Sequence, residues 1–326
     1  MAIYWGRRGG GLALFNQFVE DCKDEKISII ESLRPTGTLK DATSAPISIL
    51  KIFTWINTRK AVLSTVLDQN VRTVVFVMAS PWDIFLGKKL MASGISVVRI
   101  IHDGSPHPGE YFPSKFWIRW LTRDCSRIIT LSQYVANQLV ANFGVNPNSI
   151  KVCDFPVPRV KISEFSKVRQ IKKVLLIGRG KKYQGQSLLE EAWALIDIPD
   201  AILVIAGEGF NVNDEHPSIE YRNYWMTDQE LADEIATSDL VVFPYLEASQ
   251  SGTIPLCRYL GIPVIVTPVG GLPEQVIERV NGLITEDVSA KSLSETITVA
   301  LNMNWEVVTR QRSVYNHNFA KEVLSI

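Results

Sequence analysis

Short runs of apolar residues alternate with longer amphipathic segments along most of this chain. In the first half the apolar runs predict strands at 2–6, 27–33, 73–79, 96–102 and 127–132. The segments between them predict helices at 12–22, 47–68, 82–93, 114–123 and 133–142. The strands carry Val and Ile on consecutive positions, which is typical of parallel strands that are covered on both faces. This alternation predicts a doubly wound α/β domain.

A second series of the same kind follows residues 144–170, whose prolines and charges indicate an interdomain connection. It predicts strands at 172–178, 201–207, 219–224, 240–245 and 263–268, and helices at 186–197, 228–237, 252–260 and 289–302. We therefore predict two tandem Rossmann-like, doubly wound parallel-sheet domains, at 1–155 and 156–305, that face a central cleft. Residues 306–326 are expected to form a C-terminal helix that packs back on the N-terminal domain. In this architecture ligands bind beyond the carboxyl ends of the strands.

The amino-acid composition limits the kinds of binding partner and compartment that we expect for this protein. Lys plus Arg and Asp plus Glu both number 34 among 326 residues, so no overall field attracts nucleic acid and any anion site must be local. The four cysteines lie far apart and form no C-x-x-C pair, so we expect buried thiols in a reduced compartment. The first residues lack the apolar run of a signal peptide, and no stretch is long and apolar enough for a membrane span. We expect a cytoplasmic protein.

The segment 112–123 bears on contact with a membrane. Its basic residues recur at four-residue spacing and its aromatic residues lie on other helical faces: Lys115, Arg119 and Arg123, with Phe116, Trp117 and Trp120. Such a helix suits peripheral contact with the anionic inner face of a membrane and a lipid-linked acceptor. The alternative is an ordinary helix with a solvated basic stripe and an aromatic face in the core.

The stretch 245–276 holds the most informative polar residues. Glu247 can accept hydrogen bonds from sugar hydroxyls. The turn that follows opens a predicted helix, whose free N–H groups and positive dipole end suit a diphosphate; it comprises Ser249, Gln250, Ser251, Gly252 and Thr253. The alternative is an ordinary strand-loop-helix unit with a capped helix start.

A basic loop follows the first strand of the second domain. Arg179, Lys181 and Lys182 stand in the Gly-containing segment 177–185, where they could neutralise a leaving diphosphate. A solvated basic loop is the alternative interpretation.

Two places in the first domain are further candidates. Gly9, Gly10 and Gly11 allow a tight turn and close backbone approach to a ligand, although glycines also serve purely structural turns. His102 ends a predicted strand, where an imidazole can contact a sugar hydroxyl or move a proton. The alternative for His102 is a side chain satisfied by Asp103. A nicotinamide-cofactor site would use Glu31 at the second strand, but the glycines do not follow G-x-G-x-x-G.

With these features in order, the chain resembles the retaining glycosyltransferases of family 4, also called glycosyltransferase group 1, which have the GT-B fold. The similarity lies in IGRGKKYQGQSLLEEAW (177–193), in DLVVFPYLEASQSGTIPLCRYLGIPVIVTPVGGLPEQV (239–276) and in NGLIT (281–285). The resemblance implies transfer of a sugar from a nucleotide donor with retention of anomeric configuration. It matches Arg179 to the family's phosphate-binding Arg, Glu247 to the first acid of its E-x7-E motif, and His102 to a histidine near the reacting carbon. Gly9 to Gly11 match a loop that approaches donor and acceptor.

The sequence departs from the family pattern at two places. Gln184 stands where the family has a phosphate-binding Lys, and Lys181 or Lys182 is the candidate replacement. The second acid would fall near Pro255 or Leu256. A branch of the family with E-A-T/S-Q-S-G here also lacks a plain E-x7-E.

These features leave two main functions open. The first is a hexosyltransferase-like enzyme of polysaccharide biosynthesis that acts on a glycan or lipid-linked acceptor. The second is a non-catalytic GT-B-fold binding protein that has lost part of the donor site. An epimerase or an oxidoreductase is a weaker alternative. No D-x-D occurs, so we expect metal-independent chemistry, with a nucleotide-diphosphate sugar as substrate and no cofactor.

Overall fold

The computed structural model describes residues 1–3, 10–23, 49–78, 85–105, 114–157, 160, 171–213, 216–305 and 318–325. The chain forms two compact units. The N-terminal unit comprises Met1–Pro156 with Asn318–Ile326, and the C-terminal unit comprises Val157–His317. Each contains a parallel sheet with helices, which confirms the predicted α/β class. The predicted strand at 27–33, the end of the strand at 2–6, and Gly9 lie outside the described residues.

The described strands of the N-terminal unit pair in the order β1-β2-β3-β4-β5, all parallel. They are β1 (Ala2–Ile3), β2 (Thr73–Phe76), β3 (Ser96–Ile101), β4 (Arg127–Thr130) and β5 (Ile150–Val152). The helices are α1 (Gly10–Lys23), α2 (Ile49–Asp68), α3 (Leu86–Ala92), α4 (Lys115–Leu121) and α5 (Gln133–Phe143). The sequence did not predict β5, because this strand has only three residues, one of them Lys, and none of them is buried.

Consecutive apolar residues of these strands are buried on opposite faces of the sheet. Val75 and Val98 belong to a core cluster with α1, whereas Val74 and Val97 belong to a second cluster with α2 and α3. This two-sided burial explains why the strands have continuous apolar runs rather than alternating patterns.

A buried ion pair lies within the N-terminal unit. Arg99 of β3 is 2% exposed, and its guanidinium lies 3.4 Å from the carboxylate of Asp124 and 4.3 Å from the ring centre of Phe76. The backbone N–H groups of Gly87 and Lys88 at the start of α3 also donate to Asp124. Burial raises the pKa of the Asp124 carboxyl, and these partners oppose that rise. The pair therefore joins the sheet to α3.

The last described helix, α10 (Phe319–Leu324), packs on the N-terminal unit. The backbone N–H of Phe319 donates to Asp21 of α1 at 2.7 Å, and its ring meets Phe18 edge to face at 6.2 Å. Lys151 of β5 donates to the Glu322 carbonyl and to the Ser325 hydroxyl at the other end of α10. Both ends of the helix are thus tied to this unit.

The C-terminal unit has its described strands in the order β11-β10-β9-β6-β7-β8, all parallel. They are β6 (Lys172–Ile177), β7 (Ala201–Ala206), β8 (Ile219–Arg222), β9 (Leu240–Phe243), β10 (Val264–Val266) and β11 (Gly282–Ile284). The helices are α6 (Gln186–Trp193), α7 (Asp228–Ala236), α8 (Ile254–Leu260) and α9 (Ala290–Asn302). Strand order reverses between β6 and β9, and ligands of such sheets bind at this switch point.

Candidate functional site

Two candidate segments from distant parts of the sequence meet at the switch point of the C-terminal unit. Strands β6 and β9 are direct neighbours, with Val174 opposite Leu240 and Leu175 opposite Val241. The loop with Arg179 follows β6, and the turn with Glu247 follows β9. Because both strands are parallel, their carboxyl ends bring the two segments to the same edge of the sheet.

Glycines let the loop after β6 lie close against its neighbours. Gly180 has a φ of +57°, and a Cβ there would stand 2.1 Å from the carbonyl carbon of Gly209. Gly185 has a φ of +73°, and a Cβ there would stand 1.8 Å from the Pro244 carbonyl oxygen. Larger residues would therefore displace this loop from the segments after β7 and β9.

Gln184 is buried beneath this loop. Its side-chain oxygen accepts hydrogen bonds from the backbone N–H groups of Arg179 at 3.0 Å and Lys181 at 3.3 Å. Its amide nitrogen donates to the Tyr245 hydroxyl at 3.0 Å. Arg179, Lys181 and Lys182 are themselves exposed. The residue that replaces the family's Lys thus shapes the loop that carries the cations.

Tyr245 connects the two segments. Its hydroxyl bonds to Gln184 and to the side chain of Ser251, and its ring meets Tyr183 and Phe243 edge to face. Burial raises the pKa of Tyr245 to about 12, and the positive charge of nearby Arg179 acts weakly in the opposite direction. Sequence reasoning missed this role, although a Tyr directly after a buried strand, at the candidate turn, was a usable signal.

The turn after β9 is held by a third loop, which follows β10. The Gln275 side chain accepts from the Ser251 N–H at 2.8 Å and donates to the Ser251 carbonyl at 2.9 Å. The Gly271 N–H donates to the Ala248 carbonyl at 3.3 Å. Ser249, Gln250 and Ser251 are buried, and Glu247, Gly252 and Thr253 are half-buried. Sequence reasoning missed Gln275, because its partner lies 24 residues away.

The helix after this turn begins later than predicted. It starts at Ile254 rather than residue 252, so Gly252 and Thr253 belong to the turn. Pro255 is tolerated in the first turn because its missing N–H has no helical partner there. Pro255 and Leu256, at the place of the family's second acid, are both buried. Apolar side chains thus occupy that position.

The candidates of the N-terminal unit lie in a different setting. Helix α1 begins at Gly10, so Gly10 and Gly11 form its first turn instead of the predicted loop. A glycine in the middle of a helix costs roughly 0.5–1 kcal/mol relative to Ala because of its backbone entropy, so the end of the helix is the less costly place for this pair. His102 directly follows β3, with its Nδ1 3.2 Å from Asp103 and its ring 5.9 Å from Phe155. The alternative interpretation of His102, a side chain satisfied by Asp103, predicts this contact.

Cys22, Cys153 and Cys257 are buried and Cys125 is half-buried, and none of the four forms a disulfide. None of the described helices combines the length and apolar character needed to cross a membrane. Within the same residues, no group of three His, Cys, Asp or Glu side chains is arranged to hold a metal ion.

Comparison with solved structures identifies the fold. A glycosyltransferase from Rickettsia africae superposes with a TM-score of 0.73 at 16% identity, covering 99% of this chain and 95% of that one. HepE from Anabaena, solved with UDP and glucose, gives 0.72 at 14% identity with the same coverage. The galactosyltransferase WaaB of the lipopolysaccharide outer core gives 0.67 at 13% identity, covering 99% and 98%. These proteins share the GT-B architecture with this chain.

Comparison of sequences identifies the family. The profile described as Glycosyl transferases group 1 matches residues 171–303, and the profile described as Glycosyltransferase Family 4 matches residues 26–157. A curated relative from Klebsiella pneumoniae, an uncharacterized 41.2 kDa protein in the cps region, is 24% identical over 188 residues. That match spans 53% of this chain and half the length of the relative. With both units matched, the chain belongs to the group 1, family 4 glycosyltransferases.

Proposed function

We propose that this protein transfers a sugar from a nucleotide-diphosphate donor to a glycan or lipid-linked acceptor, with retention of anomeric configuration. The observation that carries the proposal is the meeting of the Arg179 loop and the Glu247 turn at the switch point of the C-terminal unit. The Anabaena protein of similar fold has been solved with UDP-glucose, which supports a nucleotide sugar as donor.

The charge of the leaving diphosphate would be met by the loop after β6. Arg179, Lys181 and Lys182 are exposed there, and the chain as a whole has no net charge that would otherwise attract an anion. Guanidinium groups bind phosphate oxygens through paired hydrogen bonds. Cations fixed where negative charge develops stabilise the transition state.

The sugar would be positioned by the turn after β9. The half-buried Glu247 carboxylate can accept hydrogen bonds from sugar hydroxyls. In the turn at Ser249–Thr253, the Ser251 N–H donates to Gln275 and the Thr253 N–H to the Ser251 hydroxyl, so other N–H groups of the turn would meet the diphosphate. The bond between the anomeric carbon and the diphosphate oxygen breaks through an oxocarbenium-like state, and the electron pair leaves with the diphosphate. The acceptor hydroxyl oxygen bonds to the anomeric carbon, and its proton passes to the departing diphosphate oxygen. The role of His102 near the reacting carbon rests on the family resemblance.

Metal independence is part of the proposal, since the loop cations take the place of a divalent ion. Transfer activity in the presence of EDTA should equal activity without it. A loss of activity that Mg²⁺ or Mn²⁺ restores would contradict metal independence but not sugar transfer.

A specific observation favours a second candidate, a binding protein without turnover. The family's phosphate-binding Lys is replaced by the buried Gln184, and its second acid by buried apolar residues. Such a protein would bind the donor but leave the bond to the sugar intact.

A donor panel tests both functions. Uridine, guanosine and adenosine diphosphate sugars are screened first by thermal shift, since a ligand at one hundred times its Kd stabilises the fold by about 2.7 kcal/mol. The stabilising donor is then incubated with acceptors, and the linkage of the product is assigned by NMR. Stabilisation with turnover and a retained anomer supports transfer, and stabilisation without turnover supports the binding protein. An inverted product overturns retention, and absence of any thermal shift or turnover contradicts both functions.

A further inference from the structure

A group of two exposed Phe and two half-buried Trp side chains lies on the N-terminal unit, where the start of α3 meets α4. Phe116 is 73% exposed and Phe85 is 52% exposed. The Phe85 ring meets Trp120 edge to face at 5.3 Å, and Trp117 lies 6.0 Å from Phe116 and 6.3 Å from Trp120. These four residues, Phe85, Phe116, Trp117 and Trp120, are called the aromatic face below.

None of the four residues of the aromatic face is buried in the core of the unit. The buried residues of α4 are Ile118 and Leu121. The interpretation of 112–123 as a helix with its aromatic residues in the core is therefore wrong for Phe116. Aliphatic residues on another side of the helix supply the contact with the sheet.

The backbone at Phe85 adds a second, independent observation. Phe85 has a φ of +59°, a left-handed conformation that a bulky residue rarely adopts. The fold holds this residue in an unfavourable conformation and leaves half of its side chain in water. Asn or Gly would suit the backbone better, so the ring itself is the feature that needs an explanation.

Basic side chains surround the aromatic face. Lys88 and Lys89 stand three and four residues after Phe85, on the adjoining turn of α3. On and after α4, the exposed basic residues are Lys115, Arg119 and Arg123. The sequence has no acidic residue in 85–92 or 114–123, although the whole chain is neutral. Positive charge is thus concentrated around exposed rings.

We propose that the aromatic face docks on the surface of a bilayer that contains anionic phospholipids. The rings would enter the headgroup region, where Trp and Phe side chains of surface-bound helices insert, and the five basic residues would meet lipid phosphates. Charge complementarity argues for this occupant over a second copy of the neutral chain. The proposal concerns binding alone and stands or falls independently of the proposed transfer activity.

Vesicle flotation of the full chain tests the aromatic part. Vesicles contain phosphatidylcholine with 30% phosphatidylglycerol, roughly the anionic content that basic segments need, or phosphatidylcholine alone. The double variant Phe85→Asn/Phe116→Ser should bind the anionic vesicles at least about tenfold more weakly, since it removes two exposed rings. Asn suits the left-handed backbone, so thermal stability should not fall. Leu195→Ser, which removes an apolar side chain 61% exposed in the C-terminal unit, is the matched control and should bind like wild type.

The basic part has its own variant. Lys115→Gln/Arg119→Gln/Arg123→Gln should lower binding to anionic vesicles by about two orders of magnitude, because each basic residue near the surface contributes roughly fivefold. Lys291→Gln, an exposed cation of the C-terminal unit, should have no effect. Binding should also weaken as salt is raised from low ionic strength.

Three results would overturn the proposal. The first is no flotation of wild type with anionic vesicles at low salt. The second is equal flotation of wild type and both multiple variants. The third is a wild-type dimer that becomes monomeric in the Phe85→Asn/Phe116→Ser variant, measured by light scattering, since a second copy would then cover the face.

Discussion

Two networks of polar groups, one in each unit, serve different purposes. In the C-terminal unit, neutral amide and hydroxyl groups of Gln184, Tyr245 and Gln275 join loops at the carboxyl ends of neighbouring strands. In the N-terminal unit, the charged pair Arg99–Asp124 joins the sheet to α3. The comparison teaches that one network shapes the candidate site while the other supports packing. Substitutions should therefore separate donor binding from stability.

The largest effect is expected from Asp124→Ala in the N-terminal unit. It leaves the guanidinium of Arg99 buried without its carboxylate, which should lower the free energy of unfolding by about 3–5 kcal/mol. Denaturant unfolding measures the loss. Donor affinity of the folded fraction should stay close to wild type, because the donor segments lie in the other unit.

A double variant provides the control for this prediction. Arg99→Met/Asp124→Ala removes both charges and should recover most of the lost stability, since an apolar residue replaces the buried cation. A double variant as unstable as Asp124→Ala would show that charge burial is not the cause.

Arg179→Ala should have the next largest effect, this time on activity. Removing a group that stabilises developing charge typically lowers kcat about 10²–10³-fold. Thermal stability should hardly change, because the side chain is exposed. Steady-state transfer kinetics measure the effect, and Lys291→Ala is the matched exposed-cation control. Wild-type kinetics in Arg179→Ala would remove this residue from the site.

The architecture of both units could be predicted from the sequence, because buried parallel strands carry continuous Val and Ile runs. The runs at 96–102 and 201–207 correspond to β3 and β7 with only one residue of difference at an end. Strands β5 and β11 were not predicted, because they are three residues long and lack such runs.

The positions of the candidate segments were predictable, but the way they are joined was not. Glu247 and Arg179 stand after strands that the apolar pattern located. The bond between Gln184 and Tyr245 spans 61 residues, and the bonds between Gln275 and Ser251 span 24. No local pattern reveals such pairs, since they depend on strand order. Gln184 therefore looked like a lost Lys from sequence and is a loop-shaping residue in the structure.

The Tyr245 phenol predicts a fall in stability at alkaline pH that arises in the C-terminal network. Its pKa is about 12 in the folded chain, above the ordinary value of 10, so the folded state holds this proton more tightly than the unfolded state. The contribution of this protonated phenol to the free energy of unfolding is fully present below pH 10 and is lost as pH rises toward 12. Between pH 9 and 11.5 this group should lower the free energy of unfolding by about 2 kcal/mol.

Tyr245→Phe isolates that contribution from other groups that titrate in the same range. The variant should be less stable at pH 8 by about 1 kcal/mol, because Gln184 and Ser251 lose a partner. Its free energy of unfolding should then fall less steeply with pH than that of wild type. Parallel pH profiles for the two proteins would contradict the assignment to Tyr245.

The smallest effect is expected at the link between the third loop and the turn. Gln275→Ala removes the partner of the Ser251 N–H and carbonyl, so the turn should sample other conformations. The donor KM should then rise about tenfold, which corresponds to the loss of one or two hydrogen bonds. Gln275→Met keeps most of the side-chain volume but makes neither bond. If hydrogen bonding positions the turn, both variants should raise the donor KM equally and change kcat little. A Met variant with wild-type KM would show that Gln275 acts by packing, and the contrast between the two networks would then be one of charge rather than of purpose.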